Sequence, residues 1–86
     1  MPRLSAFYGI VIAMHYDDHE PAHFHAVHGE FRAQVGIRPF RFISGELPNR
    51  VHDLVYDWWA LHRDELEENW LRARTHRALQ PIAPLR

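Results

Sequence analysis

The sequence predicts an α+β fold: a small antiparallel sheet of three to four strands, built from the N-terminal half and packed on one long or broken C-terminal helix. Three observations carry that expectation. Residues from about 7 to 43 alternate with the two-residue period of strands, whereas residues from about 48 to 75 place apolar side chains at steps of three and four. Gly45 and Pro48 punctuate the change of period, and proline is favoured in a helix's first turn. A sheet covered on one side by a helix is a two-layer arrangement, which leaves the other sheet face to water.

The elements follow in order. Ile10, Ile12, Met14 and Tyr16 fall on one face of a first strand, with Val11, Ala13 and His15 on the other. A second strand sets Phe24 and Ala26 against His23 and His25, and His28-Gly29-Glu30 supplies a turn. Phe31, Ala33, Val35 and Ile37 then alternate with Arg32, Gln34 and Gly36. Arg38-Pro39 bends the chain into a fourth strand with Phe40 and Phe42 inward. The helical stripe runs through Val51, Leu54, Val55, Trp58, Trp59, His62, Leu66, Trp70 and Ala73, as one helix or as two joined near His62-Arg63-Asp64. Pro81 and Pro84 keep the tail, 78–86, from extending the helix.

Composition bounds the function. Eighty-six residues make a single domain, and a 47% hydrophobic content is enough for a core. A chain this small often buries spare apolar surface as a homodimer. There is no cysteine, which removes disulfides and thiolate metal ligands and fits a cytoplasmic protein. No apolar run approaches the roughly 20 residues of a membrane span. The apolar start reads as a strand, not a leader peptide. A net charge of −1 gives no general attraction to RNA or DNA, and all ten basic side chains are arginine, the better planar donor to phosphate or carboxylate.

The chemistry concentrates in residues 15–30, which hold five of the eight histidines. His23 and His25 stand two apart on a strand, so they point the same way with Cα atoms roughly 6.6 Å apart. If Phe24 shares the core face with Met14, then His15 shares the opposite face with both histidines. Asp17, Asp18, His19 and Glu20 line the connecting loop. A His-x-His pair with a further imidazole or carboxylate is a ligand set for zinc, nickel, manganese or iron, and an open coordination position permits water activation. No organic cofactor is expected. Arg32 and Arg41 are placed on the same open face as partner- or phosphate-facing groups. A second arrangement uses His23, His25 and Arg32 without metal, as the acid, base and charge-stabilising groups of a ribonuclease. In a third, the histidines are simply polar residues on a wet sheet face.

Asp18-His19, Pro21, His23-Phe24-His25, Gly29-Glu30, Gly45, Leu47-Pro48, Trp58 or Trp59, His62, Glu65-Leu66 and Asn69-Trp70 together form a longer pattern. Over nearly its full length the chain resembles the short bacterial proteins grouped as domain of unknown function 4160. The resemblance implies a protein partner encoded by an adjacent gene, in a module similar to toxin–antitoxin pairs. It implies no reaction, so whether the chain is an enzyme stays open. The chain departs from the pattern at His15 and Ala22, and this shifts the implied metal set to His19, His23 and His25 with Asp18. The leading expectation is a partner-binding protein centred on that cluster. The alternatives are a divalent-metal-dependent hydrolase and the metal-independent ribonuclease.

Overall fold

Tyr8 and Gly9 both take positive φ, 50° and 77°, and this pair of values makes a two-residue hairpin turn between Phe7 and Ile10. The turn divides what reads in sequence as a single first strand. A computed structural model describes residues 2–86. It contains β1 (Arg3–Phe7), β2 (Ile10–Ala13), β3 (His23–His28), β4 (Phe31–Ile37), β5 (Phe40–Gly45), α1 (Asn49–Leu61) and α2 (Arg63–Arg74). The architecture is α+β, with five strands where three to four were expected. The added strand is β1, hidden because Tyr-Gly lacks the Asn or Asp that usually marks such a turn.

The five strands form one antiparallel sheet in the order β1-β2-β3-β4-β5. Two-residue loops, Gly29-Glu30 and Arg38-Pro39, close the β3–β4 and β4–β5 hairpins. At the end of β5, Gly45 has φ 76°, and a Cβ there would stand 2.1 Å from the Arg32 carbonyl oxygen. Only glycine lets β5 approach the backbone of β4 so closely. The connection from β2 to β3, residues 14–22, is the one long loop in the sheet, and it carries the acidic and histidine residues.

One sheet face is the core side. Ile10, Ile12, Phe24, Ala26, Val35 and Ile37 are fully buried there against Val55, Trp58 and Leu66 of the helices. Phe24 and Ala26 take the core face as expected; of the two alternating histidines His25 is half-buried, whereas His23 is buried against Trp70 and not on a wet face. The helical region is broken, not continuous: His62, at φ −128° and ψ 25°, ends α1 and precedes α2. The His62 amide donates to the Trp59 carbonyl, and the Leu66 amide to the His62 carbonyl, so both helix ends find partners. Asp64 and Glu65 in the first turn of α2, and Arg72 and Arg74 in its last, complement the helix dipole.

Indole N–H groups tie the layers together. Trp59 Nε1 donates to the Ile37 carbonyl at 2.7 Å and Trp58 Nε1 to the Ala83 carbonyl at 2.9 Å. The extended tail is held by Asn69, which donates to the Gln80 carbonyl and accepts from the Gln80 amide. The Ile82 amide donates to the Leu4 carbonyl, covering the β1 edge. The β5 edge has no such cover among the described residues, so the two sheet edges differ.

Candidate metal centre

The loop that follows β2 is held at three places. Glu20 pairs with Arg74 of α2, the Tyr16 ring stacks on His76 at 6.3 Å, and the Ile37 amide donates to the Ala22 carbonyl at 3.1 Å. These contacts fold the loop back over the end of β3 and bring Asp18 onto the histidines. His25 Nε2 donates to Asp18 Oδ2 at 2.9 Å. The His15 ring packs edge-on against His25, with centroids 4.2 Å apart, and the His23 ring lies 5.2 Å from His25. His25 thus neighbours both other imidazoles, and one carboxylate stands beside His23 and His25. Small neighbours leave them room: Ala13 faces His25 and Gly36 faces His23 across the strands.

His23 is 5% exposed, with its ring 5.3 Å from that of Trp70. Its Nδ1 lies 2.8 Å from the Pro21 carbonyl oxygen. A carbonyl only accepts, so Nδ1 carries the proton and the neutral ring has a lone pair at Nε2. That Nε2 is buried and makes no hydrogen bond, although Asp18 Oδ2 is only 3.3 Å away. With its proton on Nδ1, the ring offers Asp18 only an acceptor at Nε2, and two acceptors cannot hydrogen-bond to one another. A buried ring nitrogen without a partner costs about 1–3 kcal/mol.

One ligand atom from each of His15, Asp18 and His25 lies within 4.8 Å of the other two. Burial raises the Asp18 carboxyl, but the His25 hydrogen bond and the charges of His23, His25 and His15 outweigh it, leaving the group below its ordinary value. Burial lowers His25, and the neighbouring imidazoles add to this against the opposing effect of Asp18. Both shifts favour an ionised carboxylate beside a neutral His25; for Nε2 to bind an ion, the proton it gives Asp18 would have to leave or move to Nδ1.

Of the residues named from sequence, Asp18, His23 and His25 come together. His19 is exposed, and among the described residues it does not belong to the converging group. His15, which the resemblance sets aside, takes that place. His25 and Arg32 line one groove of about 330 Å³ with His15, Gln34 and Ser44. His23 does not line it. The metal-free arrangement of His23, His25 and Arg32 thus has two of its three groups on one cavity. Arg41 lines a different hollow, with Phe40, Phe42, His52 and Tyr56. Ser44 has no signal of its own in the sequence, and Gln34 is visible there only as the neighbour of Arg32 on an alternating strand.

The fold and this centre define a small α+β domain with a histidine–aspartate cluster beside an open sheet face. The chain belongs to the family described as Domain of unknown function (DUF4160), which it matches over residues 9–71. The matched span includes the long loop, β2 to β5 and most of both helices; β1 and the tail lie outside it. No curated protein and no solved structure matches the chain.

The two titration shifts each contribute a pH dependence to the stability of the metal-free fold. With a folded pKa below the ordinary 6.5, His25 binds fewer protons folded than unfolded between those values, so stability rises with pH across that window. Asp18 contributes stability that is full above 3.8 and is lost as pH falls through its lowered folded value. Denaturant unfolding of chelator-treated protein is expected to show a lower midpoint at pH 5.5 than at pH 7.5. The difference shrinks in His25→Gln; an equal difference in the variant contradicts the assignment.

Proposed function

We propose that this chain is a divalent-metal-binding domain in which His15, Asp18 and His25 hold the ion, with His23 as a further ligand. With four protein ligands, a fifth position toward the groove would be needed for metal-dependent hydrolysis, the reaction class we favour. The carrying observation is the buried, unpartnered His23 Nε2 lying 3.3 Å from Asp18 Oδ2. Two ligand atoms held at about 2.0–2.1 Å by one ion stand roughly 2.9–3.6 Å apart, depending on the coordination geometry. The separation of this pair, 3.3 Å, falls in that range. The ion gives the orphaned nitrogen a partner.

The donor set also favours such an ion. Two or three imidazoles and a carboxylate suit zinc, nickel, manganese or iron. A 2+ ion with one carboxylate keeps a net charge of +1, which preserves its capacity to acidify a bound water. The His23 Nδ1–H bond to the Pro21 carbonyl is the kind of outer contact that fixes a ligand's tautomer. The spread of up to 4.8 Å among His15, Asp18 and His25 closes by side-chain rotation, since His15 and Asp18 sit on the loop.

Association with a protein partner is the second reading. It is supported by the uncovered β5 edge and by the Phe40, Phe42 and Tyr56 rings beside it, as well as by the resemblance to components of paired genes. Co-expression with the adjacent gene product tests it: a complex that survives size exclusion, and that Phe42→Glu disrupts, supports it. The absence of any complex removes it.

The metal reading is tested by elemental analysis of protein purified without a histidine tag and dialysed with zinc. About one equivalent is expected for the wild type and for His19→Ala. His25→Ala is expected to bind at least about tenfold more weakly. A wild type without stoichiometric metal, or a loss in His19→Ala equal to that in His25→Ala, contradicts this ligand set.

A further inference from the structure

We infer that the groove between the histidine cluster and Arg32 is a phosphoryl-binding subsite, which makes a phosphate monoester the substrate class of the proposed metal centre. This deepens the metal reading and rests on it. The strand register builds the groove. Ala13, His25, Gln34 and Ser44 face one another across β2, β3, β4 and β5, in a single row perpendicular to the strands. Directly opposed residues on one face have Cβ atoms roughly 4.5–5.5 Å apart, so His25, Gln34 and Ser44 form a continuous polar track. Arg32 stands in the next row on the same face, two residues from Gln34 and opposite Val27. Its Cα is therefore about 6.6 Å further along β4.

The groove has a defined floor and a defined charge. Gly45 closes it at β5, where any Cβ would strike the Arg32 carbonyl, and the Glu46 amide donates to that same carbonyl at 3.1 Å. The Arg32 backbone is thereby fixed while its side chain stays exposed. Among the described residues no carboxylate lies within ion-pair distance of its guanidinium, although Glu30 and Glu46 border the hollow on its far side. No carboxylate lines the groove itself. Its volume of about 330 Å³ falls at the small end of the ~300–1,000 Å³ range of small-molecule sites.

These groups select a tetrahedral oxyanion over a planar one. The ion with Asp18 contributes +1 and Arg32 another +1, which matches a monoester dianion. A phosphoryl group presents three terminal oxygens in three directions. One would reach the ion, one would take the Arg32 guanidinium, and one would take the Gln34 amide or the Ser44 hydroxyl, all three side chains lining the groove. A carboxylate has two oxygens in one plane and leaves part of this donor set unused.

The test loads the full chain with cobalt(II), whose visible spectrum reports on its ligands, and titrates inorganic phosphate, with acetate as the planar control. Phosphate is expected to change the spectrum saturably and acetate at least about tenfold more weakly. Arg32→Gln is expected to keep one equivalent of metal and lose at least about tenfold in phosphate affinity, with Arg32→Lys between the two. Metal bound normally with no phosphate response, equal acetate binding, or an undiminished response in Arg32→Gln overturns the subsite and leaves the metal centre standing. A wild type that takes up no cobalt overturns both.

Discussion

Helices cover only one face of this five-stranded sheet, and much else follows from that constraint. The covered face takes Phe24, Val35, Ile37 and the indoles of Trp58 and Trp59, which give so short a chain its core. The alternate residues of the same strands are obliged to face the other way. On β3 and β4 those alternates are His25, Gln34 and Arg32. The exposed face therefore carries the polar chemistry, and the group of imidazoles is as much a product of strand parity as the hydrophobic core is.

Parity alone gathers residues; it does not orient them. Orientation comes from the loop between β2 and β3, which returns Asp18 to the histidines and sets the Pro21 carbonyl against His23 Nδ1. The result is a ring with a fixed tautomer, a buried nitrogen without a hydrogen-bond partner, and a carboxylate oxygen 3.3 Å away. In a metal-free fold this is a local cost of about 1–3 kcal/mol. An ion bound as proposed would give the orphaned nitrogen a partner, which a merely polar sheet face does not.

The alternation of Ile10, Ile12, Phe24, Ala26, Ala33 and Val35 made the core face and the histidine face readable from sequence, because a period of two leaves one choice of face. The joint near His62 was one of two open alternatives, because the apolar stripe runs through His62 without a break; the backbone at His62 decides it. β1 was not readable, since Tyr8 adopts a positive φ without belonging to the residue types that advertise one. The exchange of His19 for His15 was hidden for another reason. The loop's path depends on Glu20 meeting Arg74 and Tyr16 meeting His76, contacts across more than fifty residues that no local spacing encodes. Arg41 stands opposite Gly36, four residues along β4 from Arg32, and that register is set only in the assembled sheet.

The central claim is that His23, His25, His15 and Asp18 converge on one ion. X-ray absorption at the zinc edge of the reconstituted protein tests it most directly. The expected spectrum has a first shell of nitrogen and oxygen at about 2.0–2.1 Å and outer-shell scattering from at least two imidazole rings. His23→Phe is expected to remove one imidazole contribution without emptying the site. A first shell of oxygen alone, with no imidazole scattering, contradicts the account.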